Sequence, residues 1–129
     1  MNELIKQALL AREQAYAPYS KYRVGAALKT ANGKIYTGCN IENAAYSPSC
    51  CAERIAFYNA ISNGEIDFDV IAVVGGLQNE ITATTPCGVC RQVMAEFCDL
   101  QKFQIVMATS EEEYEVVRLG DLLPKVFSL

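Results

Sequence analysis

The sequence predicts an α/β fold in which helices flank a mixed five-stranded sheet. Three observations predict it: the length of 129 residues, the 51% apolar composition, and the alternation of strand-like and helix-like segments along the chain. A chain of this length can bury one hydrophobic core but not two, so a single domain spanning residues 1–129 is expected. The alternation predicts parallel strands in the middle of the sheet, joined by helices that cover it.

The N-terminal part of the chain predicts a helix followed by a hairpin. Asn2 can cap a helix, since the apolar residues that follow it recur at helical spacing. This helix should end before Pro18, because proline disfavours the helical conformation in the residue before it. Residues 24–30 and 34–39 have strand character, and the Asn32-Gly33 pair between them is the strongest short signal for a β-hairpin. These two strands are therefore expected to be antiparallel neighbours.

The rest of the chain predicts a loop, two helices and three strands. Gly64 is a natural stop for the first helix, and the apolar run before Gly75-Gly76 is continuous, as is typical of a central strand buried on both faces. The last two strands are joined by too few residues for a crossover helix, so they should be antiparallel. The predicted segments are the loop 40–50, helices 51–63 and 87–97, and strands 70–74, 104–108 and 114–118.

The charge and residue usage favour a small neutral ligand. The net charge is −4 and no basic cluster of the kind that neutralises phosphates is present, which argues against a nucleic-acid polymer as partner. No apolar run approaches the length of a membrane span, so we expect no membrane association and a cytoplasmic location. Six cysteines and no histidine leave thiolates and carboxylates as the ligands for any transition metal.

Two short segments carry the cysteines with the most informative spacing. Cys51-Ala52-Glu53 and Pro86-Cys87-Gly88-Val89-Cys90 each lie where a helix is expected to begin. Unpaired backbone N–H groups and the positive end of the helix dipole lower a thiol pKa there and favour the thiolate that a metal needs. Cys87 and Cys90 are three residues apart and therefore share one helical face.

Three thiolates predict a catalytic rather than a purely structural metal site. Cys51, Cys87 and Cys90 would fill three positions of a tetrahedral zinc ion and leave a fourth for water, which is the open arrangement of catalytic zinc. Glu53, two residues after Cys51, can reach that water without ligating the metal. In a chain without histidine it is the expected proton shuttle.

A ligand-x-Glu followed by Pro-Cys-x-x-Cys resembles the signature of the zinc-dependent nucleoside deaminases, with Cys51 in the position of the first ligand. The resemblance covers nearly the whole chain and is to the small homotetrameric cytidine deaminases. The other matching segments are Pro18–Tyr22, Val24–Ala27, Gly38–Ser47, Arg91-Gln92, Leu122–Pro124 and Phe127.

The resemblance implies a fold, a cofactor, a reaction and an assembly. The implied fold is the three-layer α/β/α cytidine deaminase fold, with its last two strands antiparallel, and the implied cofactor is one zinc ion per chain. The implied reaction is the hydrolytic deamination of cytidine and deoxycytidine to uridine and deoxyuridine, with release of ammonia, in pyrimidine salvage. The implied assembly is a homotetramer whose sites are shared between subunits.

Substrate-binding roles follow from the same resemblance. In that family the residues matching Asn40 and Glu42 hydrogen-bond the ribose hydroxyls, and those matching Tyr22 and Phe127 pack against the nucleoside. Many relatives have phenylalanine where this chain has Tyr22. The backbone N–H of Ala52 is a further candidate, as a donor to the carbonyl of the base.

Other implied roles concern the neighbouring subunit and the charge of the metal site. The residues matching Ala44 and Tyr46 reach into a neighbouring subunit's site, and Phe127 also reaches the nucleoside from a neighbour. Those matching Arg54 and Arg91 hydrogen-bond the thiolates and offset the net negative charge of three thiolates on one divalent ion.

Three alternatives stay open. A closed structural zinc site would use Cys50 or Cys51 with Cys87, Cys90 and a fourth cysteine such as Cys39. A thiol–disulfide oxidoreductase would use the Cys87–Cys90 pair as a redox couple. A blasticidin-type deaminase would share the zinc signature. Under the deaminase hypothesis Cys39, Cys50 and Cys98 are expected to be small buried hydrophobic residues.

Overall fold

Five strands form one mixed sheet in a computed structural model that describes all 129 residues. The order of strands across the sheet is β2-β1-β3-β4-β5. The elements are α1 (Asn2–Arg12), β1 (Tyr22–Thr30), β2 (Ile35–Cys39), α2 (Ala52–Ser62), β3 (Phe68–Leu77), α3 (Gly88–Phe97), β4 (Gln104–Ala108), β5 (Tyr114–Arg118) and α4 (Leu119–Leu122).

The pairing confirms the hairpin and the antiparallel last pair, and it adds a detail that local spacing does not give. β1 pairs antiparallel with β2 through the Asn32-Gly33 turn, where Gly33 has φ +91°, and β4 pairs antiparallel with β5. β3 and β4 are parallel, as expected of the middle strands. However, β1 lies between β2 and β3 and is antiparallel to both, so β3–β4 is the one parallel pair.

The two faces of the sheet pack against different helices. On one face α1 contributes Leu4, Ile5 and Ala8 to a core shared with alternate residues of β1, β3 and β4. On the other face α2, α3 and α4 pack against the residues in between, with Phe57 and Met94 fully buried. This alternation is what period-two side chains on a doubly covered sheet require, and it makes the predicted three layers.

The start of α1 differs from the prediction, and its end agrees with it. Met1, not Asn2, is the capping residue, because the N–H of Ile5 donates to the Met1 carbonyl and Asn2 is already helical. The helix ends at Arg12, before Pro18 as predicted, and the chain then pairs with residue 41 at Tyr16. There the Tyr16 N–H donates to the Asn40 carbonyl at 2.9 Å.

β3 is longer than the apolar run that predicted it. It continues through Gly75 and Gly76 to Leu77 because the first residues of β1 pair with all three. Its residues from Val70 to Gly76 are buried, which confirms a central strand covered on both faces. None of the helices has the length and apolar character needed to cross a membrane.

Candidate active site

The three predicted metal ligands meet at the N-termini of α2 and α3. Cys51 and Cys87 are the capping residues of these helices, with extended backbone, and Cys90 lies in the first turn of α3. Because the first helical N–H groups have no partner within the helix, each cysteine faces an array of donors and the positive end of a dipole. The sequence-based expectation that both segments begin helices is therefore confirmed, one residue later than predicted in each case.

The geometry of the three sulfur atoms fits a tetrahedral zinc ion. The Sγ of Cys87 lies 3.7 Å from that of Cys51 and 3.5 Å from that of Cys90, and all three sulfurs lie within 4.8 Å of one another. Tetrahedral zinc with bonds of about 2.3 Å needs sulfur atoms about 3.8 Å apart. The group contains these three side chains and no fourth ligand, which does not fit a closed four-cysteine site.

The electrostatics of the cluster favour a thiolate at Cys51. A hydrogen bond with Cys90, together with those from Arg54 and Cys87, outweighs burial and lowers the pKa of Cys51 to about 5. The same hydrogen bond, followed by burial, raises the pKa of Cys90. Thiols this close compete for one negative charge, so a divalent cation is what would let all three ionise together.

Glu53 lies in the first turn of α2, and its side chain is almost fully enclosed. It is 4% exposed, and burial raises the pKa of its carboxyl to about 7. A buried carboxylate next to a thiolate cluster suits a group that gains and loses protons during turnover. Glu53 does not belong to the group of side chains that can share one metal ion.

Arg54 and Arg91 differ in what they contact. The Nη2 of Arg54 donates to the Sγ of Cys51 at 3.5 Å, and this bond raises the pKa of Arg54. Its Nε is buried without a partner. Arg91 instead donates from Nε to the Pro86 carbonyl and from Nη1 to the Leu122 carbonyl, both at 2.8 Å. Arg91 thus braces the segment that carries Cys87, and its hydrogen bonds are to carbonyls and not to sulfur.

Gly38 positions α2, a role that was not predicted from the sequence. A Cβ atom at Gly38 would lie 2.4 Å from the Ala52 carbonyl oxygen and 2.5 Å from the Ala56 nitrogen. Only a residue without a side chain lets β2 approach the first turns of α2 this closely. The only signal in the sequence was a glycine inside a strand, which by itself indicates close approach but not the partner.

Asn40 and Glu42 follow β2, and both are tied to backbone groups. The Asn40 side chain accepts a hydrogen bond from the Val24 N–H and donates to the Tyr22 carbonyl, both at 2.8 Å. Glu42 accepts from the N–H groups of Tyr19 and Ser20 at 3.1 Å and from the Ser20 hydroxyl. The hydroxyl bond lowers the pKa of Glu42, which keeps it ionised.

Tyr22 begins β1 and points its hydroxyl at the segment before Cys87. Its Oη hydrogen-bonds with Oγ1 of Thr82 at 3.1 Å and with Oγ1 of Thr84. The phenol oxygen is thus engaged with the protein, while the ring is half-buried.

Three predicted substrate contacts lie on the exposed surface of the chain. Tyr46 is 78% exposed with φ +62°, Phe127 is 70% exposed, and Ala44 is also exposed. The Phe127 carbonyl accepts a hydrogen bond from Gln92, which ties the C-terminal segment to α3. Within one chain, then, these three side chains do not join the enclosed cluster around Glu53.

The three other cysteines lie outside the metal-binding group. Cys39, Cys50 and Cys98 are half-buried, and burial raises the pKa of each thiol, to about 12 for Cys98. They therefore stay protonated near neutral pH, but they are partly rather than fully buried, whereas small buried hydrophobic residues were predicted.

The family that this site indicates is found independently by comparison with known proteins. Residues 1–107 match the family model of the cytidine and deoxycytidylate deaminase zinc-binding region. A cytidine deaminase of Sporosarcina psychrophila is 46% identical over 128 residues, covering 99% of this chain and 91% of the relative. One from Halalkalibacterium halodurans is 42% identical over 125 residues, covering 97% and 92%.

A solved structure extends the likeness to the whole fold. The crystal structure of cytidine deaminase from Burkholderia pseudomallei matches with a TM-score of 0.87 and 45% identity, covering 97% of each chain. The resemblance suggested by Cys51-Ala52-Glu53 and Pro86-Cys87-Gly88-Val89-Cys90 is therefore confirmed. This chain belongs to the cytidine and deoxycytidylate deaminase family.

Proposed function

We propose that the protein is a zinc-dependent hydrolase that converts cytidine and deoxycytidine, with water, to uridine and deoxyuridine and ammonia. The observation that carries this proposal is the juxtaposition of three thiol groups within 4.8 Å of one another with the buried carboxyl of Glu53. The three thiol groups suit a metal ion with an open coordination position, and the carboxyl of Glu53 suits proton transfer beside that ion.

Cys51, Cys87 and Cys90 would hold the metal. Their sulfur spacing and residue type fit zinc, because soft thiolates in a tetrahedral arrangement select it over magnesium or calcium. When bound, zinc supplies the activation of a water molecule for attack on the ring carbon that bears the amino group.

Glu53 carries the protons of the reaction. Its carboxylate accepts a proton from the attacking water and delivers it to the ring nitrogen next to the reacting carbon. The carboxylate then takes the proton of the hydroxyl group that has been added to the ring carbon and passes it to the amino group. The C–N bond breaks with its electron pair on nitrogen, ammonia leaves, and the oxygen forms the new C=O bond. A pKa raised to about 7 by burial supports this role, since a shuttle must be able to hold a proton and to release it near neutral pH.

Arg54 and Ala52 prepare the site around this shuttle. Arg54 donates to the Cys51 sulfur and so offsets part of the negative charge that three thiolates create. The backbone N–H of Ala52, in the first turn of α2, has no helical acceptor and is available to the carbonyl oxygen of the base.

Asn40 and Glu42 bind the ribose hydroxyls in this proposal. Each keeps free hydrogen-bonding capacity after its backbone contacts: Asn40 has a second amide hydrogen, and a carboxylate has about four lone-pair sites, of which Glu42 uses three. Their backbone contacts hold the two side chains in fixed positions. The ring of Tyr22 packs against the nucleoside while its hydroxyl stays bonded to the threonines.

We further infer a homotetramer in which Ala44, Tyr46 and Phe127 complete a neighbouring subunit's site. The exposure of the two aromatic rings supports this inference, because large exposed apolar side chains favour burial against another chain. The reaction would serve pyrimidine salvage, and a cytoplasmic location suits a site that needs three reduced thiols.

The substrate class is tested by incubating purified protein with a panel of amines. Cytidine, deoxycytidine, blasticidin S and a cytidine-containing oligonucleotide are compared by ultraviolet absorbance and by released ammonia. We expect uridine or deoxyuridine and equimolar ammonia from the two nucleosides, with little product from the other two. Turnover of blasticidin S alone would replace the proposed substrate, and no turnover of any compound would overturn the proposed activity.

A further inference from the structure

Arg12, the last residue of α1, is a buried cation that the proposed reaction does not use. It is 3% exposed, and the two ion pairs of the molecule lie elsewhere, so no carboxylate contacts its guanidinium, although the charge of Glu13 acts on it from nearby. Burial, and after it the charge of Arg23, lowers the pKa of Arg12, although arginine remains protonated in proteins. A buried charge is costly unless it is hydrogen-bonded, so the partners of Arg12 show what it is for.

The guanidinium of Arg12 meets four backbone carbonyl groups. Its Nε donates to the Arg23 carbonyl at 3.0 Å. Its Nη2 lies 2.9 Å from the carbonyl oxygens of Gly76 and Glu80 and also contacts that of Gln78. One nitrogen with two hydrogens thus serves three oxygens. Because carbonyl oxygens that converge on one point repel each other, their arrangement depends on the positive charge at its centre.

The carbonyls converge because the chain turns back sharply after β3, in a segment that we call the reversal (residues 75–82). The Thr82 N–H donates to the Gly75 carbonyl at 2.8 Å, and a Cβ atom at Gly76 would lie 2.0 Å from the Glu80 oxygen. Gln78 has φ +48°, in the left-handed region that residues with side chains avoid. A strained turn of this kind persists only where its surroundings fix it.

The reversal leads directly into the segment that carries Cys87. Thr82 and Thr84 are held by the Tyr22 hydroxyl, and the Pro86 carbonyl is held by Arg91. Arg12 holds the beginning of the same stretch, and it does so from α1, which packs on the face of the sheet opposite to α2 and α3. It is therefore a link between the α1 layer and the metal-binding segment.

We propose that Arg12 is a positioning residue that fixes the reversal and, through it, the approach of residues 84–87 to the site. The proposal rests on the function proposed above. A lysine is not expected to replace this residue, because one ammonium group cannot reach the Arg23 carbonyl and the three carbonyls of the reversal together. A purely structural role would predict loss of stability without a specific effect on this segment.

The test compares Arg12→Met and Arg12→Lys with a matched control, Ile5→Ala. Ile5 is also a residue of α1, and it is fully buried in the core between α1 and the sheet. Its side chain is apolar, so it cannot donate hydrogen bonds to the carbonyl groups of the reversal. Amide hydrogen exchange, zinc content, thermal midpoint, kcat and KM are measured for each protein. In both Arg12 variants we expect exchange in residues 76–87 to be faster by at least about tenfold, and kcat to fall by about tenfold or more with KM within about threefold.

The control separates positioning from general stability. Ile5→Ala should lower the thermal midpoint while leaving exchange in residues 76–87 and kcat near wild type. The proposal is wrong if Ile5→Ala reproduces both effects, if the Arg12 variants show neither, or if neither Arg12 variant folds. Exchange does not depend on turnover, so a wild-type protein inactive on cytidine would overturn the proposed function while exchange still decides whether Arg12 holds the reversal.

Discussion

The N-termini of α2 and α3 begin alike and differ in what their side chains do. Each helix has a cysteine as its capping residue and an arginine within the next four residues. The first turn of α2 contains Glu53, which is buried, and Arg54, which contacts the Cys51 sulfur. In α3 the first turn adds a second sulfur, Cys90, and its arginine braces the backbone.

The same local structure, a helix start capped by cysteine, thus has two different tasks in the proposed function. Both helix starts supply unpaired N–H groups and a favourable dipole for a thiolate. In the proposed function the α3 start would supply two of the three ligands, whereas the α2 start would supply one ligand together with the proton-transfer group and the charge that offsets the thiolates. Substitutions at equivalent positions of the two helices should therefore have different consequences.

The largest loss of activity is expected from substitution of the two capping cysteines, because each helix contributes one of them to the proposed metal site. Cys51→Ala and Cys87→Ala each remove one of three ligands, so zinc content should fall well below one per chain and cytidine turnover should become undetectable. Metal analysis and the absorbance assay measure both. Cys98→Ala is the matched control and should retain zinc and activity. An active Cys87→Ala protein with full zinc would show that the sulfur cluster is not the metal site.

A large effect confined to α2 is expected from Glu53→Gln. The substitution keeps the size of the side chain but cannot carry a proton, so kcat should fall by about 10²–10⁴-fold while zinc stays bound at one per chain. Kinetics and metal analysis of the same preparation test this. Wild-type rates in Glu53→Gln would exclude Glu53 as the proton shuttle.

The close packing of α2 against β2 is tested by Gly38→Ala. The added methyl group would overlap the backbone of Ala52 and Ala56, so unfolding free energy should fall by about 1–3 kcal/mol, with activity reduced because Cys51 and Glu53 move. Gly88→Ala, at the start of α3, is the control, because nothing lies within 4 Å of a Cβ atom there. Denaturant unfolding measures the change. Equal stability of the two variants would contradict this account of the packing.

The smallest effects separate the two arginines. Arg54→Gln removes the hydrogen bond to the Cys51 sulfur, and zinc affinity should fall by about 10–100-fold. Arg91→Gln removes two bonds to carbonyl groups, so its thermal midpoint should fall more than its zinc affinity. Competition with a metal-binding dye and thermal melting compare them. If Arg91→Gln lost more zinc affinity than Arg54→Gln, Arg91 would act on the thiolates as the family resemblance implies.

Much of the fold could be predicted because its signals are local. Asn32-Gly33 specifies a hairpin by its own backbone preferences, and the short link between β4 and β5 leaves no room for a crossover. The position of β1 between β2 and β3 could not be predicted in the same way. It depends on pairing between residues distant in sequence, such as Tyr22 with Leu77.

The same distinction holds for the site. Cys87 and Cys90 share a helical face by spacing alone, and the Cys51-x-Glu53 pattern brings a carboxylate to the same helix start. The spacing of residues along the chain does not show in which direction a side chain points or which distant segment it contacts. The turning of Arg91 towards carbonyls, the approach of Gly38 to α2 and the burial of Arg12 all depend on how separate elements pack.

The zinc dependence of the proposed reaction is measured by titrating zinc back into metal-free protein and following cytidine deamination. Zinc is removed with a chelator in the presence of a thiol reductant, and activity is measured against zinc bound per chain. We expect no activity without metal and a linear rise that ends at one zinc per chain. Activity that survives complete metal removal, or full zinc occupancy without deamination, would contradict the proposed function.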